Sequence, residues 1–163
     1  MSSAAPPPVP AFHPPLAPVD GCELCREACG HLVFQSPRWR VIRANDAAFP
    51  AFYRVVWRAH VPEWTDLPLA DRDALMNVVA AVERVLRESL SPTKVNLASL
   101  GNVVPHLHWH VIARFDWDSR WPGPVWAAAT REPGFAPESR FAVTLAELDN
   151  RVARAVAALA PAG

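Results

Sequence analysis

The chain has 163 residues, equal numbers of basic (16 Lys+Arg) and acidic (16 Asp+Glu) side chains, and an apolar share of 51%. That length and composition suit one globular domain with a real core, and the neutral balance argues against a general nucleic-acid binder, which needs a basic surface. No apolar run approaches the roughly 18–20 residues needed to cross a bilayer, and no positive charge precedes an apolar stretch at the N-terminus as a secretory signal requires.

Residues 1–18 hold seven prolines with Ala and Ser. Such a segment cannot form helix and has little to bury, so residues 1–19 are expected to be a disordered or extended tail, followed by a single domain over residues 20–160. Cys22, Cys25 and Cys29 are the three cysteines, all within eight residues. An odd, clustered set is a poor disulfide framework and points to a reducing compartment, the cytoplasm.

His31 to Phe34 and Trp39 to Arg43 read as two strands joined at Ser36-Pro37, residues 45–50 as a loop, and Tyr53 to Trp57 as a third strand. From Asp71 to Leu90, Leu75, Val78, Val79, Val82, Val85, Leu86 and Leu90 follow the 3/4 spacing of a buried helical stripe. Ser91-Pro92 ends it, because the residue before proline disfavours helix. Val95 to Leu100 reads as a fourth strand and Val104 to Phe115 as a fifth, with the Trp-, Pro- and Gly-rich residues 116–138 as an irregular excursion. Thr144 and Glu147 form a capping-box pattern opening a terminal helix with Leu145, Leu148, Val152, Val156 and Leu159 on one face. Strands grouped around one long helix predict an α+β domain with a mainly antiparallel sheet.

The fifth strand carries the chemistry. His106, His108 and His110, half of the six histidines, alternate with Leu107 and Trp109 ahead of Val111-Ile112. On a strand, residues two apart share a face, so the three histidines form a row while Leu107, Trp109 and Val111 enter a core. A neutral imidazole attacks through one ring nitrogen if the other holds its proton against an acceptor, such as a backbone carbonyl. The middle histidine is placed to attack and the last to touch the departing atom. Attack at phosphorus suits the nearby Asn96, Gly101 and Asn102, whose amides donate to phosphate oxygens without adding charge.

His-x-His is also a zinc pattern, and Cys22-Glu23-Leu24-Cys25 is a C-x2-C pair. No strand leads into that pair as a thioredoxin-like redox site requires, and an iron–sulfur cluster lacks a fourth thiolate. A Cys2His2 site needs two histidines, for which His60 and one of the triad are available; two buried cysteines near a helix start are the plainer reading.

His106-Leu107-His108-Trp109-His110-Val111-Ile112 resembles the His-φ-His-φ-His-φ-φ pattern, φ being apolar, of the histidine-triad (HIT) family of nucleotide hydrolases and transferases. Asn96 and Gly101-Asn102 stand where that family commonly has an Asn and a Gly-Gln pair, with Asn102 in place of glutamine and Asn96 one residue closer. The resemblance runs from about Cys22 to Trp126. It implies a five-stranded antiparallel sheet with one long central helix and a C-terminal helix, and a homodimer joined through its sheets. It makes His108 the nucleophile that forms a nucleotidyl-histidine intermediate, His110 the contact to the leaving atom and phosphate, and Asn96 and Asn102 phosphate ligands. No organic cofactor is implied.

Zinc-containing relatives match Cys22, Cys25, His60 and His106 as metal ligands, which implies a structural zinc with no open position. The chain departs from the family pattern at Phe52, where many relatives have a histidine, at Ala113, where many have proline, and at Ala44, where an aspartate usually contacts ribose. Asn45 or Asp46 can replace that aspartate or simply make the turn. Trp117, Trp121 and Trp126 fall in the segment that in the family reaches a partner's site, where they contact substrate or pack an interface. The expected activity is hydrolysis or transfer at the α-phosphate of a phosphoramidate, a nucleotidylated compound or a dinucleoside polyphosphate. The rivals are a zinc hydrolase or lyase that uses the triad as catalytic ligands, and a nucleotide-binding protein with little turnover. A strand sets His106 and His110 about 13 Å apart, which is awkward for a single three-histidine metal shell.

Overall fold

Alternating strand residues divide the chain's side chains between two sheet faces. The computed structural model describes His13, residues 16–132 and residues 134–160; the rest of the expected Pro-rich tail lies outside the described residues. Its elements are a one-turn helix α1 (Glu23–Arg26), strands β1 (His31–Gln35), β2 (Trp39–Arg43) and β3 (Phe52–Trp57), the long helix α2 (Leu69–Leu90), strands β4 (Lys94–Ser99) and β5 (His108–Arg114), and helix α3 (Leu145–Ala157). The five strands form one sheet in the order β1-β2-β3-β5-β4, and every neighbouring pair is antiparallel. The expected α+β architecture is the one observed.

On one face, Trp39 and Val41 of β2, Tyr53 and Val55 of β3 and Val111 of β5 meet Leu75, Val78, Val79, Val82 and Leu86 of α2 in the main core. The α2 residues are the helical stripe, and each contributes roughly 1.5–3 kcal/mol on burial. The helix stops where Ser91 adopts a left-handed conformation (φ 46°) before Pro92. It begins at Leu69, two residues before the expected Asp71, because the Pro68 carbonyl already accepts from the Asp71 and Arg72 amides. Thr144 caps α3 by accepting from the Glu147 amide. α3 is tied to the sheet by the buried Asp149, which accepts two hydrogen bonds from Arg43 Nε (2.9 and 3.1 Å), one from its Nη2 (3.1 Å) and one from the Tyr53 hydroxyl (2.7 Å).

The opposite face is covered piecemeal. At one end, α1 and its flanks pack Cys22, Leu24 and Cys25 against Leu32, Ile42 and Val56. Beneath α1, the wholly buried Arg40 donates to the carbonyls of Leu24 (2.7 Å) and Glu27 (3.3 Å). The α1–β1 link passes so close to β2 that a Cβ on Gly30 would stand 2.5 Å from the Arg43 carbonyl oxygen. At the other end, Phe49, Phe52, Ile112 and Val125 form a small apolar cluster. Beside it Arg114 donates to Asp118 (2.7 and 3.0 Å), to the Asn96 side-chain oxygen (2.8 Å) and to the Gly123 carbonyl (2.8 Å), folding the Trp-rich excursion back onto the sheet.

The fifth strand is shorter than its sequence suggests, starting at His108 rather than Val104. Pro105 cannot donate to a ladder, and around it the His106 amide bonds back to the Val104 carbonyl (2.8 Å). Leu107 then pairs with the last residue of β3 and the stretch after it, accepting from Trp57 (3.1 Å) and donating to Val61 (2.7 Å). His106 therefore precedes the strand, and only His108 and His110 form the row.

The core assignment has a direct test. Leu75→Ala removes a fully buried side chain and is expected to lower the unfolding free energy by about 2–5 kcal/mol in urea titrations. Leu69→Ala, at a position 67% exposed, should stay within about 0.5 kcal/mol of the parent.

Candidate functional site

β5 places His108, His110, Ile112 and Arg114 on the face turned away from α2, and between the two covered ends of that face lies a cavity of about 400 Å³. Its lining includes His108, His110, Arg54, Gly101, Asn102, Cys29 and Trp126, and its size suits a small organic ligand. The rings of His108 and His110 are 4.7 Å apart. His108 Nδ1 is 2.6 Å from the His106 carbonyl oxygen. A carbonyl can only accept, so Nδ1 carries the proton and Nε2 keeps its lone pair. Burial lowers the pKa of His108, and the same cause pushes His110 down to about 3, helped by the neighbouring His108 and Arg54. Both imidazoles are thus neutral at ordinary pH. Neither ring nitrogen of His110 has a hydrogen-bond partner among the described residues. Phe52 packs its ring 5.2 Å from that imidazole.

His106 faces the other way along the chain. Its Nε2 donates to the Trp57 carbonyl (2.6 Å), which turns Nδ1 toward Cys22 Sγ (3.4 Å) and Cys25 Sγ (3.5 Å). His60 Nδ1 lies 3.5 Å from Cys25 Sγ, and the four ligand atoms of Cys22, Cys25, His60 and His106 all fall within 4.8 Å of one another. A tetrahedral cation with ligand bonds of about 2.0–2.3 Å spaces its donors about 3.5 Å apart, so the cluster fits a metal ion. The second nitrogen of His106 is held by a carbonyl, as metal-bound imidazoles usually are. Burial pushes His106 down to about 4, so its imidazole is neutral and can offer the Nδ1 lone pair; it also pushes the Cys25 thiol up, and a bound cation would have to displace that proton and hold the sulfur as thiolate.

The other expected residues divide. Asn102 and Gly101 line the cavity, while Asn96 does not, its side-chain oxygen being held by Arg114. Asn45 and Asp46 also lie outside the lining, and Asp46 Oδ1 accepts from the amides of Ala48 (2.9 Å) and Phe49 (3.1 Å), which makes the turn. Trp126 reaches the site within its own chain, its ring 5.3 Å from His110 and edge-on to it. Trp117 stacks instead on Phe115 (4.5 Å), and Trp121 lies 6.0 Å from the Arg114 guanidinium. Arg54, also in the lining, has no counterpart among the sequence expectations. Its signal was a lone arginine in the otherwise apolar and aromatic strand Phe52–Trp57.

Comparisons with known proteins agree with this geometry. Residues 26–117 match the family model of the HIT domain. A histidine triad protein of Marinobacter aquaeolei is 30% identical, with a TM-score of 0.64 over 82% of this chain and 93% of that one. One from Bradyrhizobium japonicum is 31% identical, with a TM-score of 0.61 over 77% of this chain and 89% of the other. A third, from Sinorhizobium meliloti, is 30% identical, with a TM-score of 0.60 over 76% and 87%. No curated protein matches. Among the described residues no helix is long and apolar enough to cross a membrane. The neutral histidine pair on β5, the four-residue cluster beside it and these likenesses place the chain in the histidine-triad family, whose members are generally nucleotide hydrolases or transferases.

Proposed function

We propose that the protein is a nucleotidyl hydrolase or transferase acting at the α-phosphate of a nucleoside phosphate through His108. The observation that carries this reading is the 2.6 Å contact between His108 Nδ1 and the His106 carbonyl, in a ring that lines the cavity. Nε2 attacks phosphorus and a P–N bond forms. The bond to the leaving group breaks with its electron pair and departs past His110. The carbonyl of His106 stabilises the positive charge that develops on the imidazole. Water then attacks the same phosphorus, the P–N bond breaks, and nucleoside monophosphate leaves with His108 restored. Asn102 and the turn at Gly101 donate to the phosphate oxygens, and Trp126 flanks the ligand. Asn96 supports this end of the site through Arg114.

Cys22, Cys25, His60 and His106 would hold a zinc ion, which supplies cross-linking rather than reaction chemistry because four protein ligands leave no open position. The rival with a triad-bound catalytic metal has little support, since His106 turns to the cysteines and His110 to the cavity. A binding protein with little turnover draws support from the unpartnered nitrogens of His110 beside Phe52. We also read the chain as a cytoplasmic homodimer, with edge strand β4 and the exposed Leu97, Leu100 and Val103 at the joint.

Three measurements test these statements. With an α-phosphate-labelled nucleotide substrate, wild type should form an acid-labile protein adduct, and His108→Ala should lose both the adduct and at least about 10³-fold in turnover. Full turnover and labelling in that variant would sink the mechanism. Elemental analysis should find zinc, and its removal should lower the melting temperature by roughly 5–10 °C, while protein still folded below that temperature retains turnover. The third concerns acid. Between pH 6.5 and about 3 the unfolded chain takes up a proton at His110 that the native site refuses. Stability should therefore fall as pH drops through that window, and His110→Asn should flatten the fall in urea midpoints measured at pH 7, 5.5 and 4.5.

A further inference from the structure

β3 is the middle strand of five, and it carries Arg54 on the same face as His108 and His110. A guanidinium in such a place costs free energy unless something pairs with it. The other arginines of the sheet are engaged: Arg40 through its Nη2 by the carbonyls of Leu24 and Glu27, Arg114 by Asp118, Arg43 by Asp149. Arg54 differs. Among the described residues no hydrogen-bond acceptor and no carboxylate within ion-pair reach engages any part of its guanidinium, whose Nε is buried. The group rests over the Phe52 ring at 5.3 Å and lines the cavity. Asp46 acts on this cation only from beyond ion-pair distance, and a cation with no direct partner in a ligand-sized cavity is a site for an anion supplied from outside.

Register says which part of the ligand it meets. Arg54 pairs directly with His110, whereas Val56 pairs with His108. On the reading above, attack comes from His108 and the leaving group departs past His110, so the cation stands at the departure end. Arginine does not release a proton in proteins. It therefore gives no proton to an amine leaving group, but it neutralises charge that builds on a phosphate leaving group. We infer that Arg54 binds the phosphoryl group next to the one attacked and so selects substrates whose leaving group is a phosphate or polyphosphate over those that release an amine. In that reaction the His108 Nε2–P bond forms, the P–O bond to the second phosphoryl group breaks, and its electron pair stays on the departing oxygen beside Arg54. Water then cleaves the P–N bond and supplies the proton released to solvent. This inference rests on the nucleotidyl-transfer reading for its direction, but its binding arm does not need turnover.

The test compares adenosine 5′-monophosphate with adenosine 5′-(α,β-methylene)diphosphate by calorimetry at fixed ionic strength, on wild type, Arg54→Lys and Arg54→Gln. Wild type should prefer the diphosphate analogue by about tenfold or more. In Arg54→Gln that ratio of dissociation constants should fall about tenfold, the size of one lost charge-assisted contact, and Arg54→Lys should recover part of it. The melting temperature of Arg54→Gln should hold or rise, because a half-buried cation without an ion-pair partner has been removed. An equal loss for both ligands, an unchanged ratio in Arg54→Gln, or a lower melting temperature in both variants with the ratio intact overturns the inference. Turnover separates the two ideas. Wild type that binds with the expected ratio but never forms the His108 adduct refutes the hydrolase reading and leaves the anion site standing. Wild type that turns over with a ratio indifferent to Arg54 does the reverse.

Discussion

His106 is the joint on which the site depends, and it works through two different groups. Its ring is fixed between the Trp57 carbonyl and the paired sulfurs of Cys22 and Cys25, while its own carbonyl receives the Nδ1 proton of His108. Whatever holds the ring therefore also holds the carbonyl, and the carbonyl decides which nitrogen of His108 presents a lone pair to the cavity. The N-terminal turn, far away in sequence, is in this way coupled to the tautomer of a residue on the fifth strand. The ring–carbonyl arrangement needs a tight turn just before the strand, and Pro105 supplies it by ending the ladder there.

Around that joint the sheet keeps stability and chemistry apart. The α2 face buries an unbroken set of apolar side chains, with one polar anchor, Asp149, that receives Arg43 and Tyr53. The opposite face is closed only at its ends, by the cysteine turn and by the loop network around Arg114 and Asp118. Both ends use arginines that donate to backbone or carboxylate oxygens and so position irregular segments. The gap they leave is the cavity. The neutral imidazoles within it follow from that partial closure, since burial lowers the pKa of His108 and His110 alike.

The parts legible in the sequence were those written in periodicity. Helical spacing gave α2 to within two residues, and alternation put Leu107 and Val111 in the core and His108 and His110 opposite them. The C-x2-C pair was legible as a motif, and the family resemblance implied Cys22, Cys25, His60 and His106 as one ligand set, which the fold gathers. What was not legible depended on partners distant in the chain. Asn96 looked like a phosphate ligand until Arg114, eighteen residues on, claimed its oxygen. Nothing in the sequence around Asp149 announces its partners Arg43 and Tyr53. Two misses were local. Pro105 was present to shorten the fifth strand, and Arg54 stood out in an apolar strand, but the histidine alternation and the apolar run each gave a simpler pattern that hid the exception.

The alternation along β5 has a consequence for how this protein can change over time. Because each residue's face is set by parity, inserting or deleting a single residue between His108 and Arg114 would exchange the two sets wholesale, sending Trp109 and Val111 into the cavity and the histidines under α2. Drift in this segment is therefore confined to the identity of its residues, with their number frozen.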